Sequence, residues 1–150
     1  MGGWRHMTAL ALALACGPAA LAAADLRQAQ AEPNLDKRSK LALENAAAAL
    51  LAMEAAYAKG DSRAVAANAA EIQESVELAY TSLSQTGKDP RKSPKWFKRA
   101  EIQTRDLLRR LDSFQADMSF KDRPLLDQAK AGVQRVHDSL LMGLMEGKHK

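Results

Sequence analysis

Four apolar stripes, each advancing in steps of three and four residues, run through residues 35–147. The first is Leu43, Ala46, Leu50, Met53 and Tyr57; the second is Val65, Ala69, Ile72, Val76, Ala79 and Leu83. The third comprises Phe97, Ala100, Thr104, Leu107, Leu111, Phe114 and Met118, and the fourth Leu126, Ala129, Val133, Val136 and Leu140. That spacing keeps one side of an α-helix apolar and is incompatible with the period-two alternation of a half-buried strand. Turn residues separate the stripes. Gly60 is placed to stop the first helix and Asp61 to cap the second. Gly87 ends the second, Ser93 caps the third with Pro94 at its first position, and Asp122 caps the fourth with Pro124 in its first turn. The predicted helices are about 35–59, 61–86, 94–119 and 122–146, after a loose segment at 25–34 and before a basic tail at 148–150. Two short connections and one longer one predict two helical hairpins, packed as an all-α, up-down-up-down antiparallel four-helix bundle.

The first 24 residues have a different pattern, that of a secretory signal peptide. Arg5 and His6 precede an uncharged apolar run from Thr8 to Cys16, and small residues then lead to Asp25. Cleavage after Ala24 is expected; lipidation at Cys16 is the rival reading, disfavoured because Ala13, not leucine, stands three residues ahead of the cysteine. A chain cut after Ala24 has no cysteine, which suits an oxidising compartment. The expected location is therefore exported, periplasmic or extracellular.

Composition narrows the class further. At 150 residues the chain accommodates one ordinary domain, and 47% apolar with 27% charged residues is a globular mixture. Seven aromatic residues are too few for a β-sandwich. Residues 25–87 carry six basic and nine acidic side chains, whereas residues 88–150 carry fifteen and nine. The net charge left after signal removal, +3 from those two halves, is too mild to argue for nucleic acid. The basic excess is concentrated on the third helix, where Lys95, Lys98, Arg99, Arg105, Arg109 and Arg110 fall within roughly 140° at 100° per residue. That face is expected to be solvated and internally paired (Glu101 with Arg105, Asp106 with Arg110), with Glu71, Glu74 and Glu77 of the second helix as complement. Its alternative is contact with anionic lipid or glycan. Nucleic acid is disfavoured because stacking aromatics are missing from the face, and Trp96 aligns with Phe114 on the apolar side.

Signatures of catalysis are missing. The sequence has no nucleophile elbow, no glycine-rich phosphate loop and no His-Glu-x-x-His run, and Gln134 stands where a di-metal bundle would place glutamate before His137. His137 lies among Val133, Val136, Leu140 and Leu144 and is the one candidate for a cofactor. The layout resembles the four-helix periplasmic cytochromes, whose haem takes a His and a Met. An antiparallel register, however, sets His137 level with Glu44 and Asn45, and Met53 roughly 13 Å further along. The expectation is thus a structural histidine bonded near Asn45 or Glu44, with no cofactor. Ala56-Tyr57, Gly60-Asp61 and Ala64 are similar to a tetratricopeptide turn, but the repeat has no second copy here.

The end of the fourth helix breaks the amphipathic rule. Leu140 to Met145 is a continuous small-or-apolar run in which Met142 points roughly opposite the core arc of Leu140 and Leu144, with Leu141 and Met145 between. Either the 25–34 segment folds over them, or they form a contact surface. The functional expectation is a non-catalytic binding module of the bacterial envelope whose partner is a protein, itself or another. The alternative is a small-molecule, haem or metal carrier built around His137.

Overall fold

The computed structural model describes residues 25–147, so the signal-peptide reading of 1–24, Cys16 and the 148–150 tail lie outside the described residues. A short helix α1 (Arg27–Ala31) leads into four long ones: α2 (Leu35–Ala58), α3 (Ser62–Gln85), α4 (Lys95–Asp117) and α5 (Asp127–Glu146). The caps explain most boundaries. Asn34 accepts a hydrogen bond from the Lys37 amide at 2.9 Å, and Asp61 accepts one from Ala64 at 3.0 Å. Gly60 sits at φ +72°, a left-handed position that lets the chain reverse into α3 within three residues.

Two starts differ from the sequence expectation. No side-chain bond caps α4; Pro94 precedes it, and its carbonyl accepts from Lys98 at 2.8 Å. Asp122 does not open α5, because a 3-10 turn over Arg123–Leu126 intervenes and α5 begins at Asp127. The Asp122 carboxylate instead accepts from the Ser119 hydroxyl at 2.5 Å and the Tyr57 hydroxyl at 3.4 Å. Tyr57 also accepts from the Ser119 amide at 2.8 Å, tying α2 to the α4–α5 turn.

The helices pack as a bundle, but in a different order from the expected one. Across α4 and α5, Thr104 meets His137 and Asp112 meets Lys130, so this hairpin is antiparallel. Its partners step forward together: Arg99 reaches Glu44 and Arg110 reaches Glu54, so α4 runs parallel to α2. Likewise Gly132 lies against Gln73 and Arg135 pairs with Glu77, which makes α5 parallel to α3. The neighbours around the bundle are therefore α2, α3, α5 and α4, with α3 and α4 on one diagonal. Chain direction alternates, yet two of the four contacts are parallel and not antiparallel. The nine residues at 86–94 make this possible. Extended, they reach about 30 Å, against a diagonal of roughly 14 Å for helices 10 Å apart.

Between the helices lie Leu50, Met53, Ile72, Leu83, Leu111, Leu126 and Leu140, each less than 2% exposed. Burying such side chains is worth about 1.5–3 kcal/mol apiece and holds the hairpins together. One polar link is buried with them. Asn45 donates to Glu71 at 2.8 Å and to the Ser75 hydroxyl at 2.9 Å, satisfying its amide inside the α2–α3 hairpin. The same Glu71 oxygen accepts from the Leu26 amide at 3.0 Å. That bond, with Leu26 and Ala29 buried at 7% and 2%, lays the 25–34 segment along α2. The segment is ordered rather than loose.

Candidate functional site

The basic stripe of α4 is largely neutralised where it lies. Arg105 pairs with Glu101 at 3.5 Å, one turn away on the same helix, and Arg109 with Asp106 at 3.2 Å. Arg99 and Arg110 reach across to Glu44 and Glu54 of α2, at 4.0 and 3.4 Å. Asp106 thus takes Arg109 and not Arg110, and the acidic complement comes from α2. The α3 carboxylates cannot supply it, because α3 is diagonal to α4; Glu77 is used by Arg135 and Glu71 by Asn45. Lys95 and Lys98 have no ion pair among the described residues. Lys95 instead lies over the Trp96 ring, 5.2 Å from its centre, with Arg99 at 5.9 Å. Reversing the charge of Arg99, Arg105 and Arg109 together is expected to cost no more than about 0–1 kcal/mol per pair. Thermal unfolding checks this; a collapse of the fold would show that the stripe organises the bundle.

His137 faces α4, not α2. Its Nδ1 is 3.3 Å from the Thr104 hydroxyl and 3.9 Å from Glu101, and its side chain is 12% exposed. The expected bond near Asn45 or Glu44 fails because α2 is diagonal to α5. The parallel α2–α4 register also brings Met53 near the level of Val133, about 6 Å from His137 along the axis and not 13 Å. Thr104 is fully buried and donates back to the Ala100 and Glu101 carbonyls, each at 2.9 Å. The cluster is a polar seam between α4 and α5. Among the described residues no group of three or more His, Cys, Asp or Glu side chains is arranged to hold a metal ion.

The last turns of α5 are uncovered on their outer side. Leu141 is 41% exposed, Met142 53% and Met145 71%. The 25–34 segment, the expected cover, lies along α2, which is diagonal to α5 and leaves these residues open. What does pack here is the α3–α4 connection. A Cβ on Gly143 would lie 3.2 Å from Pro90, and one on Gly147 would lie 2.9 Å from Arg91. Between connection and helix runs an open groove of 280 Å³ with Phe97, Leu140 and Met142 as apolar wall and Tyr80, Ser84 and Lys88 as polar edge. Tyr80, Ser84 and Lys88 carry no local signal in the sequence; only the fold brings them to Phe97, Leu140 and Met142. Phe120, 87% exposed in the α4–α5 turn, falls off every stripe.

Among the described residues, no helix is long and apolar enough to cross a membrane. Comparison with protein-family models, with curated proteins and with solved structures finds no match.

Proposed function

We propose that this chain is an exported, non-catalytic interaction module of the cell envelope, and that it docks through the end of α5. The observation that carries this reading is the exposure of Leu141, Met142 and Met145 on a well-packed helix. An apolar helix end is normally buried, and methionine is suited to adaptable contact surfaces because its side chain is unbranched and polarizable. The competing reading, a haem- or metal-carrying bundle, would need His137 as ligand. The contact between its Nδ1 and Thr104 supports a structural role instead.

Replacing Met142 and Met145 with lysine tests the proposal. The parent, isolated from its native compartment, is expected to be recovered in association with itself, with another envelope component or with membrane. The double variant should be recovered free, with unchanged far-ultraviolet circular dichroism. Equal behaviour of the two proteins removes the docking role, and a Soret band or stoichiometric iron in the parent replaces it with the carrier reading.

A further inference from the structure

The fold gathers segments that are distant in sequence at one end of the bundle: the start of α2, the α3–α4 connection, the start of α4 and the finish of α5. Residues 32–40, 86–98 and 143–147 together hold eight basic and four acidic side chains, a net charge of +4. The opposite end, residues 58–63 and 116–127, holds four of each. The bundle is therefore electrically polar along its axis, a property that neither the sequence halves nor the α4 stripe displays.

Pairing sharpens the contrast. Lys88 is bound to Asp36, and Lys40 to Glu44 at 3.7 Å. Lys92, Lys95 and Lys98 have no carboxylate partner among the described residues. Two of them flank a shallow depression, lined by Lys88, Ser93, Pro94, Lys95, Trp96 and Lys98, in which the indole is half-buried. The apolar residues belong to the same end. Met145 and Met142 are level with Lys95 and Lys98 across the antiparallel α4–α5 hairpin. Leu141 lies five residues before the end of α5, about 8 Å along its axis. Free lysines, a tryptophan with a cationic rim, and exposed methionines within 8 Å of one end are what an interfacial surface requires. Such surfaces sink apolar side chains roughly 5–10 Å into the headgroup boundary while cations meet anionic lipid.

We propose that this end of the bundle docks on the surface of an anionic phospholipid bilayer. The inference rests on the docking reading above and names its partner. Charge decides for lipid over a second copy of the chain, because two such ends would bring like charges together.

The test uses the chain as isolated from the cell and vesicles of phosphatidylcholine, with and without phosphatidylglycerol. Binding is expected only to the phosphatidylglycerol vesicles, and it should weaken as salt shortens the Debye length. Changing Lys92, Lys95 and Lys98 to glutamine should lower partitioning roughly a hundredfold, on the scale of one anionic-surface contact per lysine. Met142→Ser with Met145→Ser should lower it on the order of tenfold. Arg105, Arg109 and Arg135 changed to glutamine remove the same charge about 15 Å or more up the bundle, and should change it little. Circular dichroism confirms that each variant is folded, and the parent's dependence on lipid and salt needs no variant. The proposal is overturned by equal binding to both vesicle types, by no binding at low salt, or by equal loss in the two charge variants. If vesicles fail while association through Met142 and Met145 persists in the envelope, the lipid inference falls and the docking reading stands. If both fail, both fall.

Discussion

Cysteines placed at Gln73 and Gly132 should oxidise to a disulfide and raise the stability of the bundle. A Cβ built on Gly132 lies 2.7 Å from Cγ of Gln73, the atom whose place the sulfur of a cysteine at 73 would take. The cross-link joins α3 to α5 and closes a loop of about 60 residues, for which lost chain entropy in the unfolded state amounts to about 4 kcal/mol. The only natural cysteine is Cys16, so misparing is limited to that one thiol. In a bundle with sequential neighbours α3 and α5 would be diagonal, beyond the roughly 7 Å Cα separation that a disulfide tolerates. Free thiols at both positions after oxidation would therefore refute the packing order. Denaturant unfolding with and without reductant measures the gain.

The adjacent leucines of α2 provide the second large effect. Leu50 is fully buried, whereas Leu51, one residue on, is 58% exposed. Leu50→Ala should cost about 2–5 kcal/mol, the lost transfer energy plus a cavity among the facing helices. Leu51→Ala should stay within about 0.5 kcal/mol, since an exposed side chain in a good helix leaves no cavity and alanine is the better helix former. Against a typical total of about 5–15 kcal/mol the first change is severe and the second negligible. Comparable losses from both would mean that the outer face of α2 is covered in solution.

That pair also shows what a sequence of this kind conveys. Leu50 falls on the stripe with Leu43, Ala46 and Met53, and Leu51 does not, so each helix's buried side is readable from spacing alone. Helix ends were readable wherever a glycine and a capping side chain coincide, as at Gly60 and Asp61. They were misread at Asp122, because a carboxylate that can cap can equally bond a nearby hydroxyl, and Ser119 and Tyr57 supply two. Which helix faces which was not readable. A stripe states that a side is buried but not against what, and the connection at 86–94 is long enough for either arrangement. The errors over His137 and over the Glu71, Glu74 and Glu77 complement both descend from that one ambiguity. The cationic end does not, since alternating chain direction puts Lys37 and Lys98 at one end in either arrangement. The exposed residues of α5 were legible because they break periodicity within a single helix, where no neighbour needs to be known. The 25–34 segment was not, since Leu26 and Ala29 are too few to make a pattern, and the Glu71 contact that secures it is 45 residues away.

The diagonal path of residues 86–94 also has a kinetic meaning. The α2–α3 hairpin closes through a three-residue turn and makes the most extensive helix–helix contact in the bundle, which favours its rapid formation as a unit. The α4–α5 hairpin, by contrast, closes over nine residues that include the 3-10 turn. Their docking is then the late, slower event, and it is constrained only by a tether long enough to cross the bundle. A tether of that reach holds the two hairpins at an effective concentration on the order of millimolar, so another chain competes only when it is comparably concentrated. At high concentration during refolding, the expected by-product is an exchanged dimer in which α2–α3 of one molecule embraces α4–α5 of another, with every core contact of the monomer retained.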